Sequence, residues 1–340
     1  MATELHALIL AAGKGTRMKS ELPKVVHPIL GRPMVSYVID AVKAVGCSKT
    51  ILVTGYKSQI VKASLKNDIN DVSIAYVEQT EQLGTGHAVQ CYAKSATERP
   101  ENLLVVCGDT PLISVETLNK MVEIHNTEKP AITMMSLIMS EPGNYGRIIR
   151  SKEGGVAAIR EAKDCSKEEL AIKEVNLAVY LFDSEFLFNN IFNLKANNKQ
   201  KEYYLTDLVE MAVNQNKKVI SVIEKDESST LGINSRQHLA QVSSILQKQI
   251  LNKLMDSGVT ITCPDQTFIG SKVKIAPDTV IEPGCMIMGD TEIEKNCIIG
   301  PYVKLNNVKI KEGTNLQFCI VENTNLSKDN KILPFTSVEG

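Results

Sequence analysis

The C-terminal third of the chain repeats an aliphatic residue at every sixth position. The phase holds over one long run and resumes, after a shift of register, in a second. The first run is Ile269, Ile275, Ile281, Ile287, Ile293, Ile299 and Leu305, and the second is Ile320, Leu326, Ile332 and Val338. Such a period, with Gly, Asn, Asp and Pro between the aliphatics, is typical of a left-handed parallel β-helix, in which three hexads make one coil. Chance alternation in a sandwich would not keep this phase, so we expect a short β-helix over residues 257–340.

The first two thirds of the chain alternate apolar, strand-like runs with amphipathic stretches. The expected strands are Ala7–Leu10, Thr50–Thr54, Ser73–Tyr76, Leu103–Cys107, Ala131–Met135, Gly146–Ile149, Val156–Ile159, Glu174–Phe182 and Val219–Val222. The expected helices are Met34–Val45, Gly86–Ser95, Ser114–Asn126 and Tyr204–Asn214. This alternation predicts an α/β domain over residues 1–233, with a Rossmann-like, mixed but mainly parallel sheet. In such a sheet, ligands bind beyond the carboxyl ends of the strands.

A helical stretch joins these two patterns. Within Gln237–Leu254, apolar side chains such as Leu239, Val242 and Leu246 recur at three- and four-residue spacing. We therefore expect a linker helix over residues 234–256 between the α/β domain and the β-helix.

The composition excludes several classes of partner. With 38 Lys and Arg against 39 Asp and Glu, the net charge of −1 offers no basic face for nucleic acid and no polybasic segment for a membrane. The first apolar run stops at Gly13, too early for a signal peptide, and no stretch reaches the roughly 18 apolar residues of a transmembrane helix. Eight cysteines are scattered without a C-x-x-C pair, so we expect reduced thiols in a cytoplasmic protein.

The start of the chain carries the strongest chemical signal. An apolar run ending at Ala12 breaks into Gly13-Lys14-Gly15-Thr16-Arg17, and Pro23-Lys24 follows. Glycines let successive backbone N–H groups turn toward an anion, and three cations supply positive charge. A Walker loop is absent, and Met18 stands where a dinucleotide fingerprint needs its third glycine. We therefore expect a loop that binds a polyphosphate.

The stretch Leu10–Met18, followed by Pro23-Lys24, resembles the signature of the sugar-nucleotide pyrophosphorylases. Further segments along the whole chain match in order, most closely those of the bacterial N-acetylglucosamine-1-phosphate uridyltransferases. They are Gln79–Ala88, Gly108-Asp109, Tyr145–Ile148, Glu161, Glu174–Asn176, Tyr203–Asp207 and Gly232–Arg236. The resemblance implies transfer of UMP from UTP to N-acetylglucosamine-1-phosphate, with pyrophosphate as the second product. It also implies a role in peptidoglycan synthesis and cell wall biogenesis.

The resemblance assigns roles around the nucleotide. In nucleotidyl transfer a sugar phosphate attacks the α-phosphorus in line, so neutralising charge dominates the barrier. Arg17 and Lys24 are the expected catalytic residues, Lys24 bridging the α-phosphate and the sugar phosphate. The residues expected to bind the nucleotide are Leu10, Ala11, Ala12, Gly13, Lys14, Lys24, Gln79, Gly84 and Thr85. Gln79 and the Gly84-Thr85 pair are the expected readers of uracil, which favours UTP over purine triphosphates, and His87 is expected to be structural.

A magnesium ion is the expected cofactor. Asp109 follows an apolar strand and Gly108, which puts its carboxylate at the sheet edge that faces the phosphates. A hard oxygen ligand there suits Mg²⁺, which binds few protein carboxylates and completes its shell with phosphates and water. The second ligand, Asn234, is implied by the resemblance alone.

The resemblance places the sugar at Gly146, Glu161, Asn176, Tyr204 and Thr206. The chain departs from the family at Leu177 and Ala178, where Asn-Thr-Gly is usual, and at Cys107, where an aromatic residue often precedes Gly-Asp. We expect these changes to touch the sugar pocket. A uridylyltransferase for another hexose- or amino-sugar-1-phosphate is therefore the alternative, and a scaffolding protein with an inactive nucleotide domain is a third reading.

The β-helix carries a second departure. Longer relatives acetylate glucosamine-1-phosphate on later coils, and their Gly-Pro-aromatic-x-Arg-Leu-Arg-Pro segment is represented here with Lys304 and Asn306 in place of both arginines. The repeats end at Gly340 without the downstream catalytic segments, so no acetyltransferase activity is expected. We expect the β-helix to serve assembly, with a homotrimer as first choice and a monomer or dimer as the alternative.

Overall fold

The computed structural model describes residues 4–69, 74–327 and 332–340. They form two compact units. The first contains the described residues up to His27 together with Pro33–His238, and the second contains Pro28–Arg32 together with the described residues from Leu239 onward. Over the described ranges, no helix combines the length and apolar character needed to cross a bilayer.

One large mixed sheet organises the first unit. The strands before residue 239 are β1 (Leu5–Leu10), β2 (Pro28–Ile29), β3 (Arg32–Pro33), β4 (Lys49–Thr54), β5 (Ile74–Glu78), β6 (Asn102–Cys107), β7 (Ile132–Ile138), β8 (Arg147–Arg150), β9 (Val156–Arg160), β10 (Glu174–Asp183) and β11 (Val219–Glu224). The main path runs β11-β7-β10-β6-β1-β4-β5, and β8 and β9 extend it as a hairpin beside β10. Only β10 lies antiparallel to its neighbours on this path. The predicted fold class is confirmed.

Helices cover both faces of this sheet. In chain order the described helices are α1 (Met34–Ala44), α2 (Ser58–Asp68), α3 (Thr85–Ser95), α4 (Val115–Glu128), α5 (Lys167–Leu170), α6 (Ser184–Asn190) and α7 (Asp207–Asn214). Helix α8 (Arg236–Asp256) follows, and its residues from Leu239 onward belong to the second unit. In β1, Ala7 and Ile9 pack in one core with α1, α2 and α4, while Leu8 packs in another with α3, α6 and α7. Because neighbouring residues of a strand point to opposite faces, a strand buried on both sides is apolar at nearly every position.

The strand register brings two functional loops to one edge. Strands β1 and β6 are parallel neighbours, and their last residues, Leu10 and Cys107, are register partners. The glycine loop after Leu10 and the Gly108-Asp109 step after Cys107 therefore leave the sheet side by side. This edge is the carboxyl end of the parallel strands, where ligands bind in such folds.

Several local features differ from the sequence prediction, which did not include helices α2, α5 and α6 or strands β2 and β3. Helix α2 was not predicted, because it buries only Ser58, Val61 and Leu65 and so shows no clear apolar stripe. Helix α7 begins at Asp207 instead of Tyr204, which lies in the preceding loop. The strand predicted from Ser73 begins outside the described residues, and the described strand β5 starts at Ile74.

The second unit is a parallel β-helix, as the hexads predict. Its strands are β12 (Thr260–Ile261), β13 (Phe268–Ile269), β14 (Lys274–Ile275), β15 (Val280–Ile281), β16 (Met286–Met288), β17 (Glu292–Ile293), β18 (Ile298–Ile299), β19 (Lys304–Asn306), β20 (Lys309–Ile310), β21 (Asn315–Leu316), β22 (Ile320–Glu322), β23 (Asn325–Leu326) and β24 (Ser337–Glu339). They form three sheets, in the orders β12-β15-β18-β21, β13-β16-β19-β22-β24 and β14-β17-β20-β23. Each coil thus supplies one strand to each sheet.

The interior of the β-helix is made of stacked aliphatic side chains. Ile281 and Ile299 are register partners in adjacent coils, and both are fully buried. The resumed register predicted from Ile320 is wrong at that residue alone, because Val321 is fully buried whereas Ile320 is 41% exposed. The other three predicted positions, Leu326, Ile332 and Val338, pack in the interior. The chain shortens the repeat at this point, and Leu316 and Val321, five positions apart, are successive inward residues. Six-residue counting cannot detect such a shortened corner.

Candidate active site

A cleft of about 270 Å³ opens in the first unit at the carboxyl edge of the sheet. Its walls are Leu10, Ala11, Ala12, Gly13, Lys24, Val25, Gln79, Gln82, Gly84, Thr85, Ala88, Cys107, Asp109 and Glu202. Nearly all the residues expected to bind the nucleotide are among them. Lys14 and Arg17 are exposed and lie outside these walls.

The glycine loop packs directly against the lysine that follows it. Gly15 has a left-handed backbone with φ of 64°, and a Cβ on it would come within 2.5 Å of the Lys24 Cβ. Only glycine fits this conformation and this approach without strain. After Gly15, a short 3-10 helix of Thr16–Met18 buries the Met18 side chain and leaves Arg17 at the surface. The loop is therefore held by packing at Met18 while its cation stays accessible.

Lys24 lies at the centre of a polar cluster. Pro23 precedes a 3-10 helix of Lys24–Val26 whose two valines are buried, which fixes the lysine backbone. The Lys24 ammonium donates to Asp109 Oδ2 in a short ion pair and to Asn234 Oδ1 at 3.1 Å. The Arg17 guanidinium donates to the same Asn234 oxygen at 3.0 Å. The structure thus brings together both expected catalytic cations and both expected metal ligands.

A backbone contact explains how Asn234 reaches this cluster. The Ile233 N–H donates to the Asp109 carbonyl at 2.9 Å, and the Ile233 side chain is fully buried. This anchor brings the segment before α8 beside the end of β6. Lys24 and Asn234 are 210 positions apart in the sequence, so no local pattern could have indicated their contact.

The donor set at this point fits a divalent cation. A carboxylate oxygen of Asp109 and an amide oxygen of Asn234 both face one positive group, the Lys24 ammonium. Carboxylate and amide oxygens are the hard ligands that Mg²⁺ accepts, and it takes only one or two carboxylates when phosphates complete its shell. The Lys24 ammonium occupies a position at which both side chains stabilise a positive charge.

Gln79 closes the other end of the cleft. The residue is only 4% exposed, although it lines the cleft wall. Its Nε2 donates to the Gly84 carbonyl at 3.1 Å and lies 3.2 Å from His87 Nδ1. Gly84 has φ of 107°, and a Cβ on it would come within 2.6 Å of the Tyr203 carbonyl oxygen. The loop at Gly84 is therefore shaped by glycine and tied to the Gln79 amide.

A strap formed by residues 202–206 holds this loop from outside. Tyr203 N donates to the Leu83 carbonyl at 2.8 Å, and Gly86 N donates to the Tyr203 carbonyl at 2.7 Å. Leu205 N donates to Thr85 Oγ1 at 3.1 Å, so the hydroxyl oxygen of this expected base reader supports the strap. The strap reaches Glu161 through Thr206, which donates to Glu161 Oε1 at 3.2 Å.

The expected sugar-binding residues form a second group. Asn176 N donates to the Gly146 carbonyl at 2.9 Å, and the Asn176 amide donates to the Tyr180 hydroxyl at 2.6 Å. A Cβ on Gly146 would lie 3.6 Å from Glu161 Oε1, so these residues share one neighbourhood. Burial raises the pKa of Glu161, while the Thr206 hydroxyl opposes that rise.

Tyr204 faces a separate cavity. This cavity of about 410 Å³ has Glu161, Asp164, Tyr204, Asp207 and Glu210 among its walls. The Tyr204 hydroxyl donates to Asp164 Oδ2 at 3.2 Å and accepts from the Gln200 amide at 2.8 Å. Burial raises the pKa of Tyr204 to about 12. Tyr204 thus adjoins Glu161 but does not line the cleft that holds Lys24.

The departures from the family lie in different surroundings. Leu177 is buried in the apolar core beneath the sheet, and Cys107 lines the cleft near Asp109. Burial raises the pKa of the Cys107 thiol to about 12, and the Asp109 carboxylate adds to that rise, so the thiol stays protonated. Ala178 has φ of 55° beside a bulge in β10, which explains why glycine suits this position. The expectation that Leu177 touches the sugar pocket is wrong.

Sequence reasoning missed Val25, Gln82, Ala88 and Glu202 in the cleft wall. Gln82 and Ala88 lie inside the segment Gln79–Ala88 that carried the resemblance, so the sequence could have indicated that they line the same cleft. Glu202 precedes the Tyr203–Asp207 segment and has no distinguishing pattern of its own. Its place depends on the strap.

Known protein families match both parts of the chain. Residues 6–252 match the model of the nucleotidyl transferase family, and residues 272–307 match six repeats of the bacterial transferase hexapeptide. The chain belongs to the nucleotidyl transferase family, and it is a nucleotidyltransferase of the UDP-N-acetylglucosamine pyrophosphorylase type. The family resemblance drawn from the sequence is confirmed.

Curated relatives share both parts of this architecture. The chain is 41% identical over 320 residues to the "Bifunctional protein GlmU" of Syntrophotalea carbinolica, which covers 92% of this chain and 68% of the relative. It is 40% identical to the protein of the same name from Thermoanaerobacter pseudethanolicus, with 98% and 72% covered. It is 43% identical to that of Fervidobacterium nodosum, with 98% and 70% covered.

Solved structures support the fold. A crystal structure of apo UDP-glucose pyrophosphorylase aligns with a TM-score of 0.60 at 19% identity, covering 73% of this chain and 99% of that one. The complex of UDP-glucose pyrophosphorylase with UDP-glucose gives the same values. At this identity the likeness concerns the fold alone.

Proposed function

We propose that this enzyme transfers UMP from UTP to N-acetylglucosamine-1-phosphate in a Mg²⁺-dependent reaction that gives UDP-N-acetylglucosamine and pyrophosphate. The observation that carries the proposal is the meeting of Lys24, Asp109, Asn234 and Arg17 at the edge of the cleft. Two cations and two hard oxygen ligands at one point suit a reaction in which polyanions are brought together. Similarity to relatives over most of the chain supports the same reaction.

The reaction needs charge neutralisation more than proton transfer. A sugar phosphate oxygen attacks the α-phosphorus of the triphosphate, and the bond from that phosphorus to the β-phosphate oxygen breaks to release pyrophosphate. The nucleophile is already an anion, so no general base is required. Lys24, half-buried at the cleft wall, turns from Asp109 to the phosphates as they bind. Lys14 and Arg17, at the exposed mouth, neutralise the leaving pyrophosphate.

Asp109 and Asn234 would hold the magnesium ion. Their oxygens already converge on a positive charge, the Lys24 ammonium. When bound, the ion neutralises negative charge that develops on the phosphate oxygens. Within the free protein, Lys24 keeps the Asp109 carboxylate compensated until substrate arrives.

The sugar is assigned to the Gly146, Glu161 and Asn176 group, with Thr206 holding Glu161 and Tyr204 bordering it. Leu177 differs from the residue usual in the family, but it is buried in the core. This difference therefore leaves the polar groups assigned to the sugar in place. This favours N-acetylglucosamine-1-phosphate. Another hexose- or amino-sugar-1-phosphate is the second candidate, since Cys107 alters the cleft wall.

The β-helix is assigned to assembly, as a homotrimer, without acetyl transfer. Its outward side chains differ by face: Phe268, Met286 and Ile320 are exposed on one sheet, whereas Lys274 and Glu292 pair on another. Exposed apolar residues along one face favour contact with another copy. Lys304 and Asn306 in place of the family arginines support the loss of acetyltransferase activity. A cytoplasmic location suits eight free thiols.

A substrate panel tests the proposal. The purified protein is mixed with each common nucleoside triphosphate and a set of sugar-1-phosphates, with Mg²⁺, and pyrophosphate release is measured. We expect UTP with N-acetylglucosamine-1-phosphate to be turned over fastest. Faster turnover of another sugar would favour the second candidate, and no pyrophosphate release from any pair would refute nucleotidyl transfer. Addition of glucosamine-1-phosphate with acetyl-CoA should release no free CoA.

A further inference from the structure

The orientation of one amide decides what the base end of the cleft can accept. A glutamine side chain carries an acceptor oxygen and a donor nitrogen on the same carbon, and exchanging them reverses its preference. Uracil presents an N3–H donor between two carbonyl oxygens. Cytosine presents an unprotonated N3 acceptor and an amino donor in place of one carbonyl. The atom of Gln79 that faces the cleft therefore separates the two pyrimidines.

Two neighbours determine this orientation. The Gly84 carbonyl can only accept a hydrogen bond, and it lies 3.1 Å from Gln79 Nε2. His87 Nδ1 lies 3.2 Å from the same nitrogen. Within the described ranges both hydrogen bonds of this amide use Nε2, which leaves Oε1 for a ligand in the cleft that Gln79 lines.

His87 is held so that it can accept this bond. It lies in the first turns of α3, where the helix places Cys91 one turn later, and Cys91 Sγ is 3.7 Å from His87 Nε2. With the ring proton on Nε2 directed at sulfur, Nδ1 keeps its lone pair for the Gln79 amide. The Tyr203 ring, with its centroid 6.3 Å from the imidazole centroid, lies on the strap beside it.

We propose that His87 is a positioning residue for base selection: it holds the Gln79 amide with Oε1 toward the cleft, so that uracil N3–H is accepted and cytosine is rejected. The inference rests on the proposed uridylyl transfer, in which Gln79 reads the base. Without His87, Gly84 alone restrains the amide. The reversed orientation, with Nε2 facing cytosine N3, then becomes accessible. The expectation that His87 is purely structural is replaced by this role.

A matched pair of variants tests the role. His87→Leu removes the acceptor at similar volume, whereas His87→Asn places an amide oxygen near the position of Nδ1. For each protein, kcat/KM is measured with UTP and with CTP at one fixed sugar-1-phosphate. We expect His87→Leu to lower the UTP-to-CTP ratio by at least about 10-fold, the value of one lost hydrogen bond, and His87→Asn to keep it within about 3-fold of wild type.

Further measurements keep the test decisive. The kcat/KM measured with ATP should stay at its low wild-type value in all variants, because exclusion of a purine depends on space. If His87→Leu does not fold, His87→Ala removes the same acceptor without added bulk. An unchanged UTP-to-CTP ratio in the folded variant, or an equal fall in His87→Asn, overturns the proposal. Failure of the wild-type protein to use UTP would instead refute the uridylyl transfer on which the proposal rests.

Discussion

Charged side chains are used differently in the two units. In the first, Lys24, Asp109, Asn234 and Arg17 meet from distant parts of the sequence at one point of a cleft. In the β-helix, pairs such as Lys274 with Glu292 and Lys311 with Glu294 join adjacent coils at 2.9 and 2.7 Å on the outer surface. The first arrangement concentrates charge where a ligand can reach it. The second repeats with the fold and is screened by solvent.

The difference shows that an ion pair indicates function by its surroundings. Exposed pairs contribute about 0–1 kcal/mol to stability and are tolerant of loss. The Lys24 pair is less exposed, with side-chain accessibilities of 13% and 20%, and shares its partners with a second cation. Such a cluster can exchange its internal contacts for those of a polyanion. We therefore expect activity to depend on the first unit and assembly and rigidity on the second.

Removing the metal should give the largest change in activity. Chelation by excess EDTA, or Asp109→Ala, should lower turnover by at least about 1000-fold. Without the bound metal ion, the negative charge on the phosphate oxygens is no longer neutralised. Pyrophosphate release before and after Mg²⁺ is restored measures the effect. Asn234→Ala should raise the Mg²⁺ concentration needed for half-maximal rate. Activity that persists in excess chelator would contradict the assigned metal site.

A truncation inside the β-helix should affect stability instead. Ile287→Ala removes a fully buried side chain from the coil interior and should lower the free energy of unfolding by about 2–5 kcal/mol. Ile298→Ala is the matched control, because Ile298 is 41% exposed, and should change it by less than about 0.5 kcal/mol. Urea unfolding monitored by hydrogen exchange of β-helix peptides checks both. Equal effects would mean that the inward register is misassigned.

Substitution of Lys24 and of Lys274 compares the ion pair in the cleft with an exposed ion pair on the β-helix. Lys24→Ala should lower kcat/KM by at least about 100-fold, as expected for loss of a group that stabilises transition-state charge. Lys274→Ala removes an exposed pair on the β-helix and should leave kcat/KM unchanged. Both variants should keep the wild-type far-UV spectrum. Near-normal activity of Lys24→Ala would contradict the assignment of the loop to phosphate binding.

Acid should weaken the first unit selectively. Burial lowers the pKa of His125 from 6.5 to about 4, and its ring contacts Thr133 Oγ1 at 2.9 Å and Asn102 Oδ1 at 3.2 Å. Between these pKa values the unfolded chain binds a proton that the folded unit does not, so stability falls as pH decreases from 6.5 toward 4. We expect a loss on the order of 2 kcal/mol by about pH 4.5.

The β-helix should not share this loss, because residues 239–340 contain no histidine. Unfolding of peptides from each unit, followed at pH 7 and at about pH 4.5, measures the difference. His125→Asn should reduce the pH dependence of the first unit, whereas His238→Asn, at an exposed position, should not. The same dependence in His125→Asn as in wild type would assign it to other groups.

The smallest expected change concerns the bulge in β10. Ala178→Gly relieves a left-handed backbone, with φ of 55°, and should raise the free energy of unfolding by about 0.5–1 kcal/mol. Ala171→Gly, in an ordinary helical conformation at the end of α5, is the control and should lower it slightly. Thermal unfolding distinguishes the two signs.

Short-range patterns predicted most of the fold. The hexads from Ile269 to Leu305 indicated a β-helix because a side chain that must point inward recurs with the backbone period. The apolar run of β1 and the glycines after it indicated a strand and an anion-binding loop for the same local reason. The pattern failed where coil corners are shortened and inward residues lie five positions apart, so that Val321 replaces Ile320 inside.

Contacts across the chain were decided only by the tertiary structure. The sharing of Asn234 Oδ1 by Arg17 and Lys24 depends on Ile233 docking at Asp109. The free oxygen of Gln79 depends on where Gly84 and His87 lie around its nitrogen. Periodicity reports which face of an element is buried, whereas the partner of a polar atom depends on packing between elements far apart in sequence. The sequence therefore indicated which residue types form this site, whereas only the tertiary structure determined which of them are hydrogen-bonded to each other.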